Sequence, residues 1–391
     1  MSVERIVLMP SWYPSDNSIS GVFIEDQAIA LASSFDVCVF LPPRIHPFRG
    51  LLRKGFFARL SKKSRSNISI FEGEIILSSR INETLREFIY LRTIKRFFAE
   101  LSQDWGMPDL IHAHVVLPWG YRAAYLGSQF GIPAVLTEHT GPFSSHLDTR
   151  KNRNMVKATL LQMGKVIAVS PALRADILEF EKSIEVDVIG NVVPTNFFPT
   201  SINSGIKALH KRIRFLTICM LVEGKGLHYL IGSIRLLRER GYDNFEFYIG
   251  GEGREREMLE KMVEALDLTD YCKFLGHLNR EQVSDELCKC NVFVLPSLSE
   301  TFGVVNAEAM AFGKPVISTK CGGPEFVVTP ETGILVPPAD PEKLANAIEG
   351  FLTGKYKFEP TKIRDSVKRR FGENIFLENI SRIYSKVWAS K

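Results

Sequence analysis

The sequence predicts an α/β protein made of two doubly wound, Rossmann-like halves, and three observations predict it. Short apolar runs alternate with longer amphipathic stretches, which is the pattern of parallel strands joined by crossover helices. The 391 residues exceed what one hydrophobic core usually organises. The alternation breaks once, over Asn191 to His210, where Pro194, Pro199 and Gly205 fall in a stretch without periodicity, and then it starts afresh. Domains are therefore expected at 1–195 and 196–373, followed by a last helix over 374–391.

In the first half, strands are read at Arg5 to Met9, Asp36 to Leu41, Leu110 to Ala113, Ala134 to Thr137 and Val166 to Val169. Helices fall between them, for example Phe23 to Ser33 and Leu85 to Leu101. The second half repeats the alternation. Strands at Arg214 to Ile218, Phe245 to Ile249, Cys272 to Phe274 and Val292 to Leu295 are separated by helices at Leu227 to Arg240, Glu255 to Leu266 and Glu281 to Cys288. Sheets of this kind take ligands outside the carboxyl ends of their strands, so a cleft between the two sets of strand ends is the expected binding place.

Glu300 and Glu308, separated by seven residues, straddle a strand-to-helix turn: the buried run Val292-Phe-Val-Leu precedes them and Ala307 to Phe312 reads as helix. At ~1.5 Å of rise per residue they stand roughly 12 Å apart. That separation suits a ligand with hydroxyls at both ends and a negative middle, because the N–H groups at a helix start attract phosphate. A nucleotide-sugar has this shape. Ordinary, partly solvated helices carry glutamates at the same spacing, and the surrounding residues decide between the two readings.

Those residues are Ser299-Glu-Thr-Phe-Gly, Glu308-Ala-Met-Ala-Phe-Gly-Lys-Pro-Val-Ile, Gly322-Gly-Pro-Glu-Phe-Val and Gly333-Ile-Leu-Val. Together they resemble the donor-binding region of the retaining glycosyltransferases of family 4. Ser11-Trp-Tyr-Pro, Gly21-Val-Phe-Ile-Glu-Asp-Gln, Leu136-Thr-Glu-His-Thr-Gly and Ile189-Gly-Asn-Val-Val-Pro extend the resemblance over nearly the whole chain. It implies the two-domain architecture called GT-B, with acceptor side in the first domain, donor side in the second, and Asn374 to Trp388 crossing back onto the first.

By the same resemblance Glu300 binds donor-sugar hydroxyls, Glu308 binds the ribose, and Thr301, Phe302, Gly303 and Val304 present backbone N–H groups between them. His277 and Leu278 occupy the segment that reads the base, and Gly251 belongs to a tight turn bordering the donor. Lys225 neutralises the diphosphate. Relatives carry an arginine at the position of Met220, and its replacement here leaves Lys225 as the main side-chain cation. His139, which follows a buried strand and is expected to point into the cleft, contacts the donor sugar. Gly21 sits between a strand and a helix, where the missing Cβ either lets a ligand approach or makes a plain turn. His112 and His114 alternate about Ala113 and so share a face; they are read as structural or acceptor-side.

The implied activity is transfer of a sugar, with retention and without a metal, from a nucleotide-sugar, first of all a UDP-sugar, to a polysaccharide or lipid-linked glycan. Two other classes remain open: an epimerase or phosphorylase on the same scaffold, and a non-catalytic donor-binding subunit. No Asp-x-Asp pair of the kind that holds nucleotide-sugars through a divalent ion occurs in the chain. The six cysteines lack zinc-ligand spacing. No cofactor beyond the co-substrate is expected.

With 24% charged residues and a net charge of +5 spread over a mixed surface, nucleic acid is not the expected partner. No apolar run reaches membrane-spanning length and the first nine residues do not form a signal peptide, which favours a cytoplasmic protein with reduced thiols. One stretch suggests the inner membrane face. Between Asp36 and Glu72 there is no acidic residue, while Arg44, Arg49, Arg53, Lys54, Arg59, Lys62, Lys63 and Arg65 interleave with Phe48, Leu51, Leu52, Phe56, Phe57 and Leu60. Such a segment either docks on anionic lipid or is a solvated loop and helix whose aromatics pack on the first domain.

Overall fold

A computed structural model describes residues 3–15, 20–48, 57–199 and 212–390. The chain divides into two compact units, one of Met1–Val169, Arg174–Val192 and Phe376–Lys391, the other of Ser170–Leu173 and Val193–Ile375. Each holds a predominantly parallel sheet with helices on its faces.

In the first unit the strands are β1 (Arg5–Pro10), β2 (Asp36–Phe40), β3 (Arg44–Phe48), β4 (Phe57–Arg65), β5 (Ile68–Ser78), β6 (Leu110–His114), β7 (Ala134–Glu138), β8 (Lys165–Ala168) and β9 (Val186–Val188). Their order is β3-β5-β2-β1-β6-β7-β8-β9, and β4 pairs antiparallel with β5. The central strands are buried on both sides, which is why they read as continuous apolar runs. One sheet face is covered by α1 (Val22–Ala32) and by the last helix of the chain. That helix inserts Phe376, Ile380, Ile383, Tyr384 and Val387 among Ile6, Leu8, Val39, Leu110, Val135 and Ile167. The other face meets α2 (Glu83–Trp105), whose Phe98 lies 6.3 Å from Phe40.

The stretch from Arg44 to Arg65 is corrected in its described part: it is strand, not loop and helix. Ser66 and Asn67 both take positive φ, 52° and 62°, the geometry of a two-residue hairpin turn whose twist matches its flanking strands. Nine residues from Phe57 to Arg65 then pair with Ile76 back to Ile68. The absence of acids holds along the sequence but not in space. Arg44 and Lys63 reach Glu72 at 2.5 and 2.9 Å, Lys62 reaches Asp104 at 2.6 Å, and Arg65 reaches Glu25 at 2.6 Å. The charge available to an anionic surface is thus smaller than the count of cations suggests. Phe57 and Arg59 remain exposed. Arg49, Leu51, Leu52, Arg53, Lys54 and Phe56 lie outside the described residues, as does the part of the 191–210 break after 199.

The second unit has β10 (Ile213–Ile218), β11 (Phe245–Gly250), β12 (Cys272–Gly276), β13 (Val292–Leu295), β14 (Val316–Thr319) and β15 (Gly333–Val336), in the order β12-β11-β10-β13-β14-β15 and all parallel. One face packs Phe215, Phe247, Val294 and Ile317 against Leu230, Ile234, Leu344 and Ile348, with Phe215 and Phe247 stacked 4.7 Å apart. Among the described residues no helix is long and apolar enough to cross a membrane.

Ile380 is 1% exposed and sits in the core of the first unit. Ile380→Ala should therefore lower unfolding free energy by about 2 to 5 kcal/mol. Urea denaturation of the full chain measures this, and a loss below about 1 kcal/mol would show that the last helix is not part of that core.

Candidate functional site

In the second unit the strand order reverses between β10 and β13. The crossovers run outward from β10 through β11 to β12, then return to place β13 on its other side. At such a point the loops leaving two adjacent strands diverge and expose backbone at the strand ends. Here the backbones of the two loops are joined where Leu298 N–H donates to the Gly224 carbonyl at 2.8 Å.

Lys225 ends the short turn between β10 and the helix Leu227–Glu239. Its Nζ donates to Glu300 Oε1 at 2.5 Å, and Ser297 Oγ donates to the same oxygen at 2.8 Å. The Glu300 backbone is held as well, because its carbonyl accepts the Gly323 N–H at 2.7 Å. Gly322 N–H is in turn taken by Glu325 at 2.9 Å. The helix Val304–Ala311 opens just beyond, behind Gly303 in a left-handed conformation with φ 80°. Glu308 is buried within this helix, and Thr301 and Val304 are half-buried at its mouth. Phe302 is different: its ring is 1% exposed and meets Phe326 and Phe371 edge-on. Its side chain anchors the loop, which leaves only its backbone for a ligand.

The loop after β11 lies against the loop after β10. Leu221 N–H donates to the Glu252 carbonyl at 2.9 Å and Glu255 N–H to the Leu221 carbonyl at 3.0 Å. Gly251 has φ 128°, and a Cβ there would fall 1.8 Å from the Cys219 carbonyl oxygen, so no other residue fits. Leu278 closes over Gly250, while His277 is exposed. Met220 is 66% exposed. Arg256 is committed to Glu252 and Glu260.

The first unit has its own reversal, between β1 and β6. Ser11 reaches the His114 carbonyl through both its N–H and its hydroxyl, at 3.3 and 3.2 Å. Gly21 begins α1 with φ 83°, and a Cβ would sit 2.6 Å from the Trp12 backbone. This close approach accounts for the glycine as a turn residue.

His139 follows β7 and is buried, its ring centroid 5.0 Å from that of Phe23 and 5.2 Å from that of His114. His114 Nδ1 and His139 Nε2 are 3.0 Å apart. His112 shares the face with His114 and is satisfied at both nitrogens, by Tyr384 and Thr137, each at 2.7 Å. Glu138 is fully buried and accepts the N–H groups of Val116, His139 and Thr140 at 2.7 to 2.8 Å. Burial raises its pKa, but His146 at 3.6 Å and these N–H groups outweigh that and hold it below the usual carboxylate range. Burial, with His139 nearby, drives the His112 pKa down to about 3; burial drives His139 down to about 4 against the opposing pull of Glu138; His114 also lies well below the ordinary value. All three rings are therefore neutral near pH 7.

Among the described residues no group of three or more His, Cys, Asp or Glu is arranged to hold a metal. Sequence reasoning missed Ser297, Glu138 and the Gly323 contact. Ser297 stands three residues before Glu300 in one short loop and was findable as a local partner. The Gly323 contact joins residues brought together only by the β13-β14 pairing.

Two family descriptions match the chain: Glycosyltransferase Family 4 over residues 21–197 and Glycosyl transferases group 1 over 202–371. The phosphatidylinositol N-acetylglucosaminyltransferase gpi3 subunit of Schizosaccharomyces pombe is 28% identical over 286 residues, covering 71% of this chain and 61% of that protein. The chain thus spans less than two thirds of the length of that relative. Among solved structures, the sucrose-phosphate synthase of Thermosynechococcus elongatus aligns with a TM-score of 0.75 at 21% identity, over 99% of this chain and 100% of that one. HepE of Anabaena in complex with UDP aligns with a TM-score of 0.73 at 20% identity, over 97% and 98%. These structures share the GT-B fold with this chain.

The neutral histidines set a pH dependence. Their folded-state pKa values lie below the ordinary 6.5. The stability this represents is complete above that value and is lost as pH falls from it toward the folded values, because the unfolded chain takes up protons the folded chain refuses. The slope is up to about 1.4 kcal/mol per pH unit for each histidine. Glu138 acts in a separate window, below about 4.5. Urea melts should show stability falling between about pH 6.5 and 5, before carboxylates titrate; a flat profile over that range would mean that the rings are solvated.

Proposed function

We propose that this chain, which belongs to the group 1 and family 4 glycosyltransferases, transfers a sugar from UDP to a polysaccharide or lipid-linked glycan, holding the donor at the strand reversal of its second unit. The observation that carries the reading is the Lys225, Glu300 and Ser297 cluster. A cation, a carboxylate with spare acceptor capacity and a helix start meet there, and a diphosphate joined to a polyhydroxyl needs these three groups. Glu300 addresses sugar hydroxyls, Lys225 leaves Glu300 to pair with the diphosphate, and Glu308 addresses the ribose. HepE, of the same fold, binds UDP, and the Schizosaccharomyces pombe relative bears the name of a sugar transferase acting on a phosphatidylinositol; both support the choice of donor base and acceptor class.

In the retaining step the bond from the sugar's anomeric carbon to the diphosphate oxygen breaks. The bond from that carbon to the acceptor oxygen forms on the same face. The acceptor's proton passes to the leaving phosphate. Lys225 stabilises charge as it develops on the leaving group, and fixed cations of this kind make the largest electrostatic contribution to such reactions.

The two glutamates should fail differently. Glu308→Gln should weaken UDP binding about tenfold or more, the loss of a hydrogen bond to a charged group. Glu300→Gln should keep UDP affinity and lose turnover of the intact donor, since it frees Lys225 rather than removing it. Calorimetric titration with UDP and donor turnover measure the two effects; equal losses of UDP affinity in both variants would contradict the assignment.

Lys225→Ala should lower transfer by a factor corresponding to about 3 to 5 kcal/mol. Initial rates with a saturating donor measure it, and near-normal rates would move the charge to another cation, Arg254 in the exposed loop after β11 being the next to test.

A further inference from the structure

The strand ending Leu110-Ile-His112-Ala-His114 places two histidines on one face of a buried sheet, and the two are not equivalent. His112 has a partner on each ring nitrogen and is accounted for as a core residue. His114 is 0% exposed, and its Nε2 has no hydrogen-bond partner. An unsatisfied buried polar atom costs about 1 to 3 kcal/mol, which an apolar ring of the same shape would avoid. The next residue, Val115, has φ 77° and ψ 127°, a backbone region that costs a β-branched residue about 1 to 3 kcal/mol. Two local costs thus meet at His114, and the polar contact they accompany is the one to His139.

We propose that His114 is a positioning residue for His139, fixing both its ring orientation and its tautomer through the in-plane hydrogen bond between Nδ1 and Nε2. This rests on the reading that assigns His139 to the donor sugar. Between two neutral imidazoles one N–H donates and one lone pair accepts, so the tautomer of each ring dictates that of the other. Phe23 packs its ring 5.0 Å from that of His139, tilted by 50°. Glu138 takes the His139 backbone N–H and so holds the main chain of that residue. The groups facing the pair are His112, stacked 4.4 Å from His114, and Glu138 with His146 beside it.

Four measurements on the full chain test this: thermal unfolding, UDP binding, turnover of UDP-glucose, and 15N chemical shifts of the imidazoles. His114→Phe fills the same buried space with an apolar ring and removes the hydrogen bond. It should melt near the wild type and bind UDP normally, with kcat down about 100-fold and donor KM little changed, and His139 should become a mixture of tautomers. His114→Asn, whose amide reaches the same position as Nδ1, should recover most of the rate and the single tautomer. If His114→Phe does not fold, His114→Gln, whose amide reaches the Nε2 position instead, carries the same expectation. Wild-type kcat in His114→Phe, an equal loss in His114→Asn, or an unchanged His139 tautomer would each overturn the proposal. A wild-type chain that neither binds UDP nor turns over UDP-glucose would instead sink the functional reading, and the tautomer of His139 would then decide the His114 assignment by itself.

Discussion

A parallel sheet wound from its middle has one place where neighbouring strands send their chains in opposite directions, and the chemistry of this protein depends on that constraint in both units. In the second unit the reversal lies between β10 and β13, and Lys225 and Glu300 come from the loops on either side of it. In the first it lies between β1 and β6, where Ser11 binds the His114 carbonyl. Covering helices bury the rest of each sheet, so backbone N–H groups and polar side chains converge on a ligand only at these ends.

The two ends solve the problem of buried polar groups in different ways. The second unit pairs opposite charges that are only partly buried, Lys225 with Glu300, so the pair can be exchanged for a charged ligand at small desolvation cost. The first unit keeps its rings uncharged: three histidines are held neutral by burial, and the buried carboxylate of Glu138 beside them stays ionised, its charge met by backbone N–H groups and His146. Neutral rings of that kind hold their geometry without counterions, which suits recognition of hydroxyls rather than phosphates.

Much of this was legible in the sequence, for definable reasons. Buried parallel strands such as Val292 to Leu295 are continuous apolar runs and cannot be placed elsewhere. The glutamate pair stood out because a strand ended just before it and a helix started between its members. What could not be read depends on partners distant in the chain. The acid-free stretch around Lys62 and Lys63 finds its acids at Asp104 and Glu72 only after the hairpin closes. The burial of His139 depends on Phe23 and His114, from two other elements. Phe302 was expected beside the ligand, and its backbone lies in that loop, but its ring belongs to an aromatic cluster built with Phe326 and Phe371. That Gly251 must be glycine follows from the Cys219 carbonyl above it, a residue one strand away.

The central claim is that a nucleoside diphosphate binds at the strand reversal of the second unit. Hydrogen exchange of the full chain with and without saturating UDP tests it most directly, because it reports every backbone amide without presupposing a role for any side chain. Slowed exchange is expected in 219–226, 251–255 and 296–308, with little change in the strands behind them. Unchanged exchange in these three segments, or protection confined to other parts of the chain, would contradict the account.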